Sequence, residues 1–151
     1  MGFELPDSLK SAHDAIHATL KRAMAEPGRI GEAARAVARI LDGHALREEK
    51  FALRPLALLK TLAKGELPPK FELDEVVRLT EGLQRELPAM LDEHRQIAAA
   101  VRLLAQLATG EGKLEYVALA GEWTAHAQLE EDVLYPAAVV VGAYARRLGG
   151  A

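Results

Sequence analysis

Apolar residues recur along this chain at alternating spacings of three and four, the signature of helices that bury one face. The first run is Leu9, His13, Ile16, Leu20 and Met24, opened by Pro6-Asp7-Ser8 and closed by Pro27-Gly28. A second pattern runs from Ile30 to about Lys64, and Pro55 should kink or break it near Phe51 to Arg54. Gly65 to Pro69 cannot continue a helix. A third pattern begins near Leu73 and reaches Thr109, with Pro88 making it two segments or one kinked helix. Its stripe is Leu87, Met90, His94, Ile97, Val101, Leu104 and Ala108. After Gly110-Glu111-Gly112 a fourth pattern spans Lys113 to Arg146, interrupted by Pro136, before a frayed tail at Gly149-Gly150-Ala151. Four helices joined by short turns within each half predict an all-α fold, an antiparallel up-down-up-down four-helix bundle, with residues 1–151 as one domain.

Two stripes break their own rule. One reads Val37, Leu41, His44, Glu48, Phe51 and the other Leu119, Trp123, His126, Glu130, Val133. Each carries a histidine and, four residues on, a glutamate where a core-facing helix should carry leucine. Each is followed by a second acid, Glu49 or Glu131, which reads as a solvent-side residue or as support behind the first. His13-x-x-Ile16 matches His94-x-x-Ile97, and the separations from His13 to His44 and from His94 to His126 differ by one residue. The chain is therefore a duplicated helical hairpin, and pairing its copies about a pseudo-two-fold axis would bring His13, His44, Glu48, His94, His126 and Glu130 together.

Composition narrows the chemistry. The 151 residues are 50% apolar and only 5% aromatic, which favours packed helices over sheets. A net charge of −3 with both signs interspersed and no basic run gives no footprint for nucleic acid. No stretch matches a membrane span, and the N-terminus lacks the basic start and apolar run of a signal peptide, so a cytoplasmic protein is expected. The absence of cysteine excludes disulfides, thiolate metal sites and thiol nucleophiles. Four imidazoles and two carboxylates remain. One zinc would use four ligands, whereas six symmetric ligands suit two metals, two histidines on each and both glutamates bridging. With an oxo or hydroxo bridge, one position per metal stays open for a small molecule. Imidazole-rich ligation suits iron, zinc, copper or nickel better than magnesium or calcium.

This arrangement, His13, His44-x-x-x-Glu48, His94 and His126-x-x-x-Glu130, resembles the hemerythrin-like (HHE cation-binding) domain family, over about Leu5 to Ala145. It is closest to the symmetric subtype that has one His plus His-x-x-x-Glu in each half, found also in di-iron proteins of iron–sulfur cluster repair and nitrosative stress. The resemblance implies a four-helix bundle around two non-haem iron ions, oxo- or hydroxo-bridged, with zinc or manganese ranked behind iron. It implies a protein that binds or senses a small diatomic ligand, dioxygen or nitric oxide, or handles labile iron. The alternatives are a di-iron peroxidase, oxidase or nitric oxide reductase, and a metal-free helical interaction domain. Met90 stands where oxygen-carrying members have a further histidine, and the acid lies four residues after His126, whereas theirs lies five after. His17 lies a turn beyond His13 with Ala98 as its counterpart, and is either a third histidine on one metal or pocket lining. Trp123 is placed to wall a pocket, and Tyr116 and Tyr135 read as core or rim aromatics.

Overall fold

The computed structural model describes residues 5–150; the N-terminal start at Met1 to Glu4 and the last tail residue, Ala151, lie outside them. The chain runs through α1 (Asp7–Met24), α2 (Gly28–Glu48), a π-helical turn (Glu49–Leu53), a 3-10 turn (Arg54–Leu58) and α3 (Leu59–Ala63). It continues with α4 (Lys70–Gly110), α5 (Leu114–Leu129), a second π-helical turn (Glu130–Leu134) and α6 (Tyr135–Leu148). There is no strand among the described residues, and four helical rods pack together: α1 on α2 and α5, α2 on α4, and α4 on α5 and α6. No described helix is long and apolar enough to cross a membrane.

Pro6, Pro27 and Pro69 stand immediately before α1, α2 and α4. A missing N–H costs nothing there, because the first N–H groups of a helix have no intrahelical acceptor. Gly65 and Gly112 sit at the two sequence breaks with φ of 75° and 70°, a conformation that residues with a Cβ rarely adopt. Pro88 does not divide its helix: α4 runs unbroken for 41 residues. Pro88 and Gln84, whose carbonyl loses its usual donor, are both exposed, so water can satisfy it.

The other two interior prolines have larger effects. Each π turn comes just before a proline and is closed by an N–H reaching back five residues, Arg54 to the Glu49 carbonyl and Tyr135 to the Glu130 carbonyl. A π turn inserts a residue and rotates everything after it. Val133, which a regular helix would turn inward, is therefore exposed, and Tyr135 is buried in its place.

Two apolar clusters fill the interior. One gathers Ile16, Leu20, Val37, Leu41, Ile97, Val101, Leu104, Leu119 and Trp123; the other Leu53, Leu56, Val76, Leu83, Met90, Tyr135, Ala138 and Val141. Along every rod the histidines and glutamates of the repeat fall at the junction between them, which makes one polar layer between two apolar ones. Packing in the second cluster is tight where α6 crosses α4: a Cβ on Gly142 would collide with the Thr80 side chain, whose hydroxyl already donates to the Val76 carbonyl. Gly142→Ala is expected to destabilise the chain by about 1–3 kcal/mol despite alanine's better helix propensity. A denaturant titration that shows equal or greater stability would contradict this.

Candidate metal centre

The structure brings all six residues of the repeat together. His44 is presented by the last turn of α2, His94 by the middle of α4, His13 by α1 and His126 by the last turn of α5. Glu48 ends α2, and Glu130 opens the π turn that follows α5. All four histidines turn Nε2 toward the glutamates. His13 Nε2 lies 2.8 Å from Glu48 Oε1 and 3.3 Å from Glu130 Oε2. His44 Nε2 lies 2.9 Å from Glu48 Oε2, His126 Nε2 3.2 Å from Glu130 Oε2 and His94 Nε2 3.4 Å from Glu130 Oε1. The donors fall into two sets, His13, Glu48, His126, Glu130 and His44, Glu48, His94, Glu130, with the atoms of each set within 4.8 Å of one another. Both sets share both glutamates, and each takes one histidine from each half of the repeat.

Glu48 and Glu130 are 1% and 0% exposed. No described lysine or arginine pairs with either; their charged-group neighbours are the four histidines. Buried carboxylates need a cation or a proton close by. In the metal-free chain the histidines supply it. Burial alone would lower His13, but hydrogen bonds from its ring to Glu130 and Glu48 outweigh that and push it up to about 10. His94 is likewise opposed by burial and raised to about 10 by Glu130, Glu48 and Glu131. Burial would raise Glu48, yet hydrogen bonding within the cluster, chiefly with Glu130 and His13, holds it well below the usual carboxylate range. Protons on His13 and His94 thus offset negative charge in the layer. Metal ions can displace those protons and take the same Nε2 and carboxylate atoms, so the donor set fits a pair of divalent cations.

Sequence reasoning missed Tyr135 and Glu93 as neighbours of the cluster and left Glu131 between a solvent-side and a supporting role. Tyr135 is wholly inside, with its hydroxyl donating to Glu48 Oε2 at 2.8 Å and lying 3.1 Å from His94 Nε2. Burial and the carboxylates of Glu48 and Glu130 push its phenol far above the usual value, so it remains a donor. Only the extra residue of the π turn puts Tyr135 on this face, and Pro136 was the available signal for it. Glu131 reaches His94 Nδ1 at 2.8 Å, while its counterpart Glu49 is exposed and meets no histidine. Glu93 approaches His44 Nδ1 at 3.6 Å and is paired on its other side with Arg47; a contact made across two helices leaves no periodic trace in either. Carboxylates behind ligand imidazoles fix the ring and raise its basicity. Glu131→Ala is therefore expected to weaken metal binding by roughly 10- to 100-fold, and Glu49→Ala to leave it unchanged, as metal titrations of the two variants can check.

A cavity of about 10 Å³, room for about one water-sized molecule, lies against the cluster. Its apolar wall is Ile16, Leu41, Ala45 and Trp123, beside His13, His44 and His126. His17 lines it too but belongs to neither ligand set. His13, His17 and Ala45 also line a surface groove of about 430 Å³. No family model matches the sequence, and no curated protein and no solved structure shows significant similarity to it.

Proposed function

We propose that this chain is a non-haem di-iron protein of the hemerythrin-like kind, which binds or senses dioxygen or nitric oxide, or handles labile iron. The observation that carries the proposal is the convergence of four Nε2 atoms on two buried glutamates shared by two four-donor sets. His13 and His126 would hold one ion and His44 and His94 the other, with Glu48 and Glu130 bridging. Zinc would be satisfied by four donors, whereas iron keeps positions for exogenous ligands. The cavity beside His13, His44 and His126 offers space for one, which favours iron and a small ligand. Bound as a pair, iron would supply reversible binding or one-electron chemistry; the protein holds the pair in a layer with little access for water.

The antiparallel bundle and its pseudo-two-fold axis are part of the same proposal. They are supported by the order in which the rods meet the two apolar clusters: from the first to the second through α2 and through α5 to α6, and from the second to the first through α1 and α4. A di-iron enzyme acting on peroxide or nitric oxide is the second reading, favoured by Tyr135, a protonated phenol in contact with the cluster. Anaerobic loading with ferrous iron, in competition with zinc and manganese, tests the proposal. Two irons per chain, with the visible absorption of a bridged pair after oxidation, are expected, and retention of zinc alone would contradict it. Catalytic turnover of peroxide or nitric oxide would select the second reading.

A further inference from the structure

The chain has one tryptophan. Trp123 is 3% exposed, and its Nε1 finds no acceptor among the described residues. Its ring stands among three of the four imidazoles, with centroids 6.3 Å from His44, 5.5 Å from His94 and 6.0 Å from His126, and it walls the cavity beside them. A buried N–H without a partner costs free energy that packing of the ring does not return. Phenylalanine would pack without that cost. Indole is a donor only, so it can neither hold a metal nor take up a proton. What it can do is meet an acceptor that arrives from outside. The rest of the wall, Ile16, Leu41 and Ala45, offers no side-chain donor.

We propose that Trp123 is the specificity-determining residue of the cavity, its indole N–H donating a hydrogen bond to the far atom of a diatomic ligand held beside the metals. This rests on the di-iron proposal above. Such a donor favours ligands whose far atom gathers negative charge when a ferrous ion shares electron density with them, as dioxygen and nitric oxide do. His17, the other polar side chain on the cavity outside the ligand sets, is half-buried and shared with the surface groove, so water can satisfy it.

The probe is nitric oxide added anaerobically to the ferrous-loaded full chain. In the unaltered protein the hydrogen-bond-sensitive Raman band of the single tryptophan should move when nitric oxide binds. In Trp123→Phe the N–O stretching frequency should rise and nitric oxide should leave about three- to tenfold faster, the range expected for one lost hydrogen bond, at unchanged iron content. His17→Leu should change neither. A tryptophan band that does not move, a Trp123→Phe protein with wild-type frequency and release rate, or a shift produced by His17→Leu instead would overturn the proposal and leave the indole satisfied by trapped water. Iron-loaded protein that takes up no nitric oxide also overturns it while the di-iron proposal stands, and a chain that holds no iron fails both.

Discussion

Replacing Glu48 or Glu130 with alanine is expected to abolish the retention of metal through desalting, a loss larger than the roughly 10- to 100-fold that partners behind the ligands contribute. Each glutamate belongs to both donor sets, so a single substitution removes an oxygen from both ions at once. The effect on the metal-free fold has the opposite sense. Without one carboxylate, the imidazolium ions at His13 and His94 lose part of what holds them charged, and they revert toward neutral imidazole. The variants should therefore fold, and their iron content by elemental analysis reports the site rather than the bundle. Glu49→Ala, on the exposed face of the π turn, should bind two irons like the parent chain. Equal iron content in all three variants would show that Glu48 and Glu130 bridge nothing.

The second large effect is on stability, and it depends on pH. Saturating each site at about a thousand times its dissociation constant contributes about 4 kcal/mol. For a domain of this size that raises the melting temperature by roughly 8–16 °C per ion. In the metal-free chain, protons on His13 and His94 stand in for the cations. Both groups are raised from 6.5 to about 10, so the stability they contribute is complete below about pH 6.5 and is lost as the pH climbs through 10. Glu48 is depressed, so its contribution is present above the ordinary carboxylate range and lost as the pH falls below it. Metal binding runs the other way, because the ions must displace protons from these histidines. The carboxylates around His13 and His94 carry proton competition through neutral pH. The gap between metal-loaded and metal-free melting temperatures should therefore widen from pH 6.5 to pH 9. Circular dichroism melts at several pH values measure it, and coincident curves at all of them would contradict a metal role for the cluster.

The parts of this structure that repeat with helical period were legible in the sequence. His44 and Glu48, or His126 and Glu130, occupy positions that an apolar stripe reserves for the core. The duplication joins the two pairs with His13 and His94. The breaks at Gly65 to Pro69 and Gly110 to Gly112 were equally plain, because glycine with positive φ and proline without an N–H leave few alternatives. What was hidden depends on departures from the period or on contacts between rods. Tyr135 reaches Glu48 only because the π turn adds a residue, and a count at 3.6 residues per turn put Val133 there instead. Glu93 touches a histidine on a neighbouring helix, where no spacing within one helix could announce it, and for Glu131 the spacing left open whether it faced solvent or supported a histidine. Pro88 shows the converse: proline coincides with a change from α-helix to π and 3-10 turns around Pro55 but is tolerated in α4, because both Pro88 and the residue whose carbonyl it fails to serve are exposed.

Anomalous scattering at the iron absorption edge, recorded on crystals of ferrous-loaded and then oxidised protein, tests the central claim most directly. Two peaks of comparable height are expected in the polar layer between the two apolar clusters, each bonded to two of His13, His44, His94 and His126, with Glu48 and Glu130 bonded to both. A single peak, two peaks that share no carboxylate, or a layer without anomalous density in protein that folds normally would contradict it.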